Sequence, residues 1–465
     1  MNRRLLGTVS ALALLLGAAA AAGGDLPRPA EQMRPGAFVA PSQLTLLGPR
    51  MLFTATHAQS GQELWVTEGS RATTRLLKDI HPGARSSFPS GLTAHGRHVY
   101  FTATDGEHGL ELWRTDGTAA GTTQVADLRP GAEGAMPAEL TVHAGALYFV
   151  ADDGVSGRQL WRLRGPGDAP ERVSDLAPGA GPRQLTSAGR QLFFTATTVD
   201  QGHELWVSDG TRAGTRLVKD IRPGREDADV AHLLALGPVL YFAARDCTHG
   251  MELWRSDGTE AGTRRVKDIR PGDGSSSPAL MAAMGGQLYF AADDGIHGLE
   301  LWRSDGTEAG TVLVRDIHEG RAGSISGPLA VVEERLYFAA TDGRSGAELW
   351  RSDGTAEGTQ QVRDIFKGQA SAAPARLAPM GSALWFAAHD GTHGVEAWTT
   401  DGTEKGTRRM SDLVPGAGHA MPLGFAALGR HILFVAEDGH GNERLWAHEG
   451  GRNRLLGEPL GSRVR

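Results

Sequence analysis

Nine tryptophans recur in register along the chain, and no other feature of the sequence constrains its fold as strongly. Successive members are separated by 48, 48, 45, 48, 48, 48, 48 and 48 residues. They are Trp65, Trp113, Trp161, Trp206, Trp254, Trp302, Trp350, Trp398 and Trp446. A period of this length is typical of repeat architectures such as solenoids and propellers. The chain therefore consists of nine copies of one supersecondary unit.

Each repeat predicts a small antiparallel sheet. The copy over residues 278–317 contains four short apolar segments, LMAAM, LYFAA, LELWRS and TVLVRDI, separated by Gly-rich or Asp-Gly turns. Short apolar segments joined by such turns are typical of a four-stranded antiparallel meander, and no segment beyond the N-terminus has a sustained helical period. One such sheet cannot bury both of its faces, so radial stacking completes the core.

The predicted fold is therefore all-β, a β-propeller of nine four-stranded antiparallel blades over residues 37–462. The alternative is an eight-bladed ring with one repeat shared across the seam or packed outside it. By analogy with other meander propellers, the segment after each Pro-Gly turn is expected to be innermost and the V-x-D-I segment outermost. The D-G-x-H-G loops and the Pro-Gly loops between blades would then share one face.

The surroundings of the tryptophans resemble two known propeller types. An Ala lies ten residues before every member, a Gly four before it in eight repeats, and an Asp eight before it in seven. This frame resembles the tryptophan-docking motif of quinoprotein-type propellers. Residues 42–457 also resemble the bacterial ELWxxDGT repeat family, whose motif is intact from Glu111, Glu204, Glu252, Glu300 and Glu348. The second resemblance implies an exported or surface propeller and no particular activity.

The N-terminus predicts export. Residues 1–24 combine Arg3 and Arg4, an apolar stretch over 12–16 and a small-residue run over 18–24, which is typical of a cleaved secretory signal peptide. The apolar stretch is shorter than the roughly 20 residues that a membrane-spanning helix needs. We expect residues 25–36 to be a linker and no membrane span to remain after cleavage. The mature protein would be secreted, periplasmic or on the surface of a bacterium.

Composition narrows the range of partners. The formal net charge is -7, and no run of Lys or Arg is long enough to follow a phosphate backbone, so nucleic acid is excluded as a partner. A single cysteine, Cys247, leaves no internal disulfide. Only five Lys and three Asn occur, which is typical of a high-GC bacterial genome.

Repeated polar residues are the candidates for function, and most of them have structural interpretations. The D-G-T aspartates and the V-x-D-I aspartates recur in most repeats, which favours turns and strand ends over chemistry. The D-G-x-H-G loops supply possible rim-binding residues, although equivalent loops of successive blades splay too far apart for one metal ion. These residues are His108, His249, His297 and His393.

The sequence indicates no catalytic, cofactor-binding or metal-binding residue. It has no G-x-S-x-G elbow, H-E-x-x-H motif or phosphate-binding glycine loop. Quinoprotein enzymes commonly carry an adjacent Cys pair, which is absent here. We therefore expect a monomeric, non-catalytic binding or scaffold propeller without cofactor, whose partner is an unknown protein or glycan of the envelope or extracellular space. The alternative is an enzyme with a site at the channel mouth, either a quinoprotein-like oxidoreductase or a glycan-active hydrolase or lyase.

Overall fold

The structure, a computed structural model, describes residues 38–457. The predicted signal peptide, the linker and both ends of the predicted 37–462 domain lie outside these residues. The described chain forms nine four-stranded antiparallel sheets, and each sheet uses four consecutive strands. The nine-bladed propeller is thereby confirmed over its eight-bladed alternative.

The strands follow the repeat period closely. Blades 1 to 3 contain β1 Val39–Leu47, β2 Arg50–His57, β3 Gly61–Thr67, β4 Arg75–Lys78, β5 Ser90–His95, β6 His98–Ala103, β7 Glu111–Thr115, β8 Thr123–Ala126, β9 Ala138–His143, β10 Ala146–Asp152, β11 Arg158–Leu163 and β12 Glu171–Arg172. A short 3-10 helix, Arg71–Thr73, lies in the outer turn of blade 1. Blade 3 keeps all four strands although its sequence lacks the D-G-T turn.

Blades 4 to 6 contain β13 Arg183–Ala188, β14 Gln191–Thr198, β15 Gly202–Ser208, β16 Arg216–Lys219, β17 Ala231–Leu236, β18 Val239–Ala244, β19 Glu252–Ser256, β20 Arg264–Lys267, β21 Ala279–Met284, β22 Gln287–Asp293, β23 Leu299–Ser304 and β24 Val312–Arg315. Blades 7 to 9 contain β25 Ala330–Val332, β26 Arg335–Ala340, β27 Glu348–Ser352, β28 Gln360–Arg363, β29 Ala375–Met380, β30 Ala383–His389, β31 Val395–Thr400, β32 Arg408–Arg409, β33 Gly424–Leu428, β34 His431–Glu437, β35 Glu443–Glu449 and β36 Arg452–Leu455.

The first strands of neighbouring blades contact one another around the ring, which makes them the innermost strands. The V-x-D-I segments form or follow the fourth, outermost strands. Backbone hydrogen bonds also join the two predicted loop types: Thr104, at the start of a D-G-x-H-G loop, donates to the carbonyl of Ser87 in the preceding Pro-Gly loop at 2.9 Å. Both loop types therefore share one face, as predicted, and we call it the loop face.

Each blade packs on the preceding one through its tryptophan. Trp302 is 6% exposed and shares one apolar cluster with Ala292 of its own blade and Leu253 and Ile269 of blade 5. Because Ala is small, the indole fills the slot between the two sheets. Trp65 closes the ring in the same way, since it packs with Leu433 and other residues of blade 9. The tryptophans of these two blades therefore lie between neighbouring sheets.

Polar contacts reinforce the same interfaces. The Lys78 ammonium in the outer strand of blade 1 donates to the carbonyl of Thr122 in blade 2 at 2.7 Å and lies 5.7 Å from the centre of the Trp113 ring. On the face opposite the loop face, the Arg255 guanidinium donates to the carbonyl of Gly306 in the next blade at 3.2 Å. Gly306 has a φ of 87° and lies against the Tyr241 hydroxyl, so a side chain there would be both strained and obstructed.

Blades 1 and 9 meet at a seam that lacks a connecting loop. No strand is exchanged within the described chain, because β33 to β36 complete blade 9 and β1 belongs to blade 1. Side-chain packing is supplemented by two hydrogen bonds to backbone carbonyls. The Arg444 guanidinium donates to Phe38 at 2.7 Å, and the Arg71 guanidinium donates to Leu455 at 2.8 Å.

Candidate functional site: loop face and seam

The four rim histidines each bond to an aspartate of their own loop. The Nδ1 to carboxylate distance is 2.7 Å for His108 and Asp105, and 2.7 Å for His297 and Asp294. The same pairing recurs at 3.0 Å in blade 5 and 2.8 Å in blade 8, for His249 with Asp246 and His393 with Asp390. Each aspartate also accepts the backbone N–H of its histidine. The structure therefore distributes the four imidazoles over four separate loops.

These imidazoles are partly exposed, with 26% to 40% of each side chain accessible. The hydrogen bond to Asp105 raises the pKa of His108, and the bond to Asp294 raises that of His297. Within residues 38–457, no group of three His, Cys, Asp or Glu side chains could hold a metal ion. Cys247 lies exposed in one of these loops. The rim geometry presents partly exposed imidazoles as polar groups on the loop face.

The recurrent aspartates serve local turns where the structure shows their bonds. The Asp305 carboxylate accepts hydrogen bonds from the backbone N–H and the hydroxyl of Thr307, at 2.9 and 2.7 Å. The Asp316 carboxylate, of the V-x-D-I segment, accepts the N–H of Gly320 at 3.2 Å. The first pattern recurs at Asp116, Asp209, Asp257, Asp353 and Asp401, and the second at Asp79, Asp220 and Asp268.

A set of buried glutamates was missed by sequence reasoning. The residue two before the tryptophan is a fully buried Glu in seven blades. The Glu300 carboxylate accepts the N–H groups of Ile317 and His318 at 3.1 and 3.3 Å and the hydroxyl of Ser324 at 2.6 Å. It thereby fixes the loop that leads into the next blade. The set is Glu63, Glu111, Glu204, Glu252, Glu300, Glu348 and Glu396.

Burial dominates the ionisation of these carboxyl groups. Desolvation raises the pKa of Glu300 to about 7 although its hydrogen bonds oppose the shift, and Glu63, Glu204 and Glu348 behave alike. In blade 3 a neutral isostere, Gln159, occupies the position and accepts the N–H of Leu176 at 2.9 Å. The position needs an acceptor, which a Gln can supply.

Blade 9 inverts the polarity of this position. Arg444 replaces the glutamate, and its guanidinium donates both to the carbonyl of Phe38 and to Asp438, the latter at 3.1 Å. The other blades send a loop with free N–H groups past this position, so an acceptor is needed there. In blade 9 this position instead faces the carbonyl of Phe38, in the segment that enters blade 1. A donor at residue 444 is the matching choice.

A cleft of about 290 Å³ opens at the seam, beside the inner strands of blades 1 and 9. We call it the seam cleft. In most other blades the inner strand carries a β-bulge near its start, whereas β33 pairs without one through Gly424 with Val435 and Phe425 with Phe434. The continuous register of β33 coincides with the opening. The lining residues are Pro41, Ser42, Gln43, Leu44, Leu423, Gly424, Phe425, Val435 and Glu443.

Apolar side chains continue outward from the seam cleft. The residue 25 before each of the nine recurring tryptophans has a positive φ in eight of nine blades. This conformation costs a non-glycine residue about 1 to 3 kcal/mol. In three blades it is large and apolar: Met421, Phe88 and Met136 are 44%, 57% and 49% exposed. These blades are 9, 2 and 3, so the three positions flank that of Ala40 in blade 1. We call them the mouth arc.

Two carboxylates face each other beside the cleft. Glu437 and Glu443 are direct cross-strand partners in β34 and β35, which places their Cβ atoms about 5 Å apart. Within the described chain neither side chain has an ion-pair or hydrogen-bond partner, and both are half-buried. The N–H of Glu437 bonds to the carbonyl of Ala420, next to Met421, and the N–H of Leu423 bonds to Val435. The acidic pair therefore adjoins the mouth arc.

Solved structures give the only matches among the comparisons made with known proteins. No protein-family model matches the chain, and no curated protein does. An oligogalacturonate lyase in complex with manganese is 12% identical with a TM-score of 0.41, and the match covers 89% of this chain and 98% of the lyase. A puromycin-hydrolyzing peptidase of Mycobacterium tuberculosis is 15% identical with a TM-score of 0.40, over 77% of this chain and 59% of the peptidase.

The β-propeller domain of the Trilobed protease from Pyrococcus furiosus is 10% identical with a TM-score of 0.37, over 81% of this chain and 99% of the domain. The chain spans about three fifths of the length of the puromycin hydrolases that it matches. Likenesses at this level carry no argument about activity. In residues 38–457 there is no helix of the length and apolar character needed to cross a membrane.

Proposed function

We propose that the protein is an exported, non-catalytic binding or scaffold propeller of the bacterial ELWxxDGT repeat family, acting at the cell envelope or outside the cell. The proposal rests on the observation that the repeated polar side chains have structural roles, whereas several polar and apolar residues at the seam do not. The repeated Asp, Glu and Arg side chains described above are engaged in turns and blade interfaces. Arg444 and the pair of Glu437 and Glu443 depart from the repeat at the seam, where Leu423 is exposed in the seam cleft.

This separation of structural polar residues from exposed residues at the seam supports binding over catalysis. Exposed large apolar side chains beside a cleft are typical of an interaction surface. The rim histidines, spread over four loops and each bonded to its own Asp, suit a distributed polar margin. We expect a protein or glycan of the envelope as partner, and a monomer as the binding form.

The proposal is tested with the purified mature chain. Binding is measured against peptidoglycan, lipopolysaccharide and detergent-solubilised envelope proteins, beside a blank-controlled absorption spectrum for bound cofactor. Saturable binding without a cofactor spectrum supports the proposal. Turnover of a panel of chromogenic glycosides and alcohols, abolished by one substitution at the channel mouth, would instead establish the enzyme alternative.

Export is tested separately in a bacterial host. A C-terminally tagged full chain should appear in the periplasm or medium, shortened at its N-terminus by about 24 residues as judged by intact mass. Retention of the full mass in the cytoplasm contradicts the proposal.

A further inference from the structure

We propose that the seam cleft and the mouth arc bind an extended peptide segment in which basic side chains are flanked by apolar ones. This inference rests on the proposed binding function and names the chemistry of its partner. A basic side chain of the segment is placed beside Glu437 and Glu443, and its apolar neighbours are placed on Met421, Leu423 and Phe88.

Charge complementarity identifies the occupant. Like charges directly opposite on paired strands destabilise a sheet, and no cation of the described chain offsets the repulsion between Glu437 and Glu443. The corresponding pairs in other blades are Thr56 with Gln62 in blade 1 and Asp152 with Arg158 in blade 3, so only one partner at most is acidic there. A Lys or Arg from another molecule would neutralise the pair.

The size and lining of the cleft favour a peptide. A volume of about 290 Å³ is just below the usual range for small-molecule pockets, so it suits one side chain of a longer ligand. Its lining is mainly apolar, with Leu44, Leu423, Phe425 and Val435. The Gln43 amide donates to the carbonyl of Pro89 at 3.2 Å, which connects the cleft to Phe88. Phe88 therefore lies one residue from a direct contact of the cleft lining.

The backbone holds this surface in place. Phe88 and Met421 have φ values of 51° and 46°, and both precede a proline. A following proline favours extended backbone, so both residues keep a strained conformation that only the surrounding loop can hold. A preorganised apolar surface loses less entropy on binding an extended segment.

The probe is a fluorescein-labelled, amidated peptide of alternating leucine and lysine, titrated by fluorescence anisotropy against the mature chain. We expect saturable binding that weakens as sodium chloride rises from about 50 to 500 mM. The double variant Glu437→Gln/Glu443→Gln should weaken binding about tenfold or more. Phe88→Ser/Met136→Ser should weaken it several-fold, and Ser277 already occupies the equivalent position in blade 6, so the fold tolerates serine there.

Three controls separate this site from general attraction between a cation and an acidic protein. Glu333→Gln/Glu334→Gln makes the same charge change in an exposed hairpin of the opposite face and should leave the affinity unchanged. Peptides with glutamate in place of lysine, or serine in place of leucine, should not bind measurably. Thermal unfolding of every variant confirms that it is folded.

The inference is overturned if the Glu333/Glu334 variant loses as much affinity as the Glu437/Glu443 variant, or if the serine peptide binds as well as the leucine peptide. It is also overturned if sedimentation shows a dimer that Phe88→Ser/Met136→Ser dissociates, because the arc would then bind a second copy. An envelope partner whose affinity is unaffected by these variants would remove the inference and leave the proposed function intact.

Discussion

Arg444 offers the sharpest test of how the ring closes. Arg444→Met keeps an apolar stem of similar length and removes every donor. The variant loses a charge-assisted hydrogen bond to the Phe38 carbonyl and the ion pair to Asp438. The Arg444 side chain is 16% exposed and that of Asp438 is 15% exposed. A charged hydrogen bond contributes about 1.5 to 3 kcal/mol, and the stranded Asp438 keeps its bonds from His440 and Asn442. We expect a loss of about 2 to 4 kcal/mol.

For a domain of about 420 residues the unfolding entropy is near 0.9 kcal/mol/K, so this loss lowers Tm by about 2 to 5 °C. Differential scanning calorimetry measures the shift. Arg444→Glu restores the residue found in seven other blades and should destabilise further, because a carboxylate would then face a carbonyl and Asp438. The matched control is Arg430→Met, since Arg430 is 82% exposed in the same blade. Equal Tm values for Arg444→Met and the control would refute the polarity argument.

Other predictions concern the repeated residues. Trp302→Ala should cost about 3 to 5 kcal/mol in urea unfolding, because it empties a slot between two blades; a cost near that of an exposed site would contradict tryptophan docking. Burial raises the pKa of Glu300 from 4.5 to about 7, so the folded chain favours the protonated carboxyl group. The contribution of this group to the free energy of unfolding is fully present below pH 4.5 and is lost as pH rises through 7. Glu300→Gln should therefore flatten the decline of Tm between about pH 5 and 8, and an unchanged profile would show that the carboxylate is ionised throughout. Single substitutions of the rim histidines should each change partner binding modestly and their joint replacement more, whereas one substitution acting alone as a switch would indicate a catalytic site; the four are His108, His249, His297 and His393.

The repeat made the blades predictable because their decisive contacts are local or recur at a fixed interval. The Trp to Ala spacing, the Asp-Gly turns and the strand order all follow from one copy. The pairing of His108 with Asp105 was also accessible, since the two residues are three apart in a turn. The buried glutamates gave a weaker signal. A charged residue next to Leu and Trp in a strand implies a buried acceptor, but its partners lie 17 to 24 residues away.

The seam was beyond prediction because its contacts join opposite ends of the chain. Arg444 and Phe38 are separated by 406 residues, and no spacing rule connects them. The mouth arc depends on backbone conformation, which the sequence signals only as a residue before proline. The opposed carboxylates became visible through the register of β34 and β35, which pairs Glu437 with Glu443.

Symmetry explains why ring closure and the proposed binding occur at the same place. The interfaces between ordinary blades share one packing arrangement. A substitution that improves ligand binding at one of these interfaces therefore disturbs contacts that the blade needs for packing. The seam has no connecting loop, and its hydrogen bonds already depart from that arrangement through Arg444. Sequence freedom is therefore greatest where blades 1 and 9 meet. Leu423 and Glu443 line the seam cleft there, and Glu437 pairs with Glu443. It follows that variants of this group should trade stability against binding: Glu443→Gln relieves the repulsion and should raise Tm slightly while it weakens the lysine peptide. A fall in both quantities would mean that the carboxylate supports the fold, and the seam would then be a closure device alone.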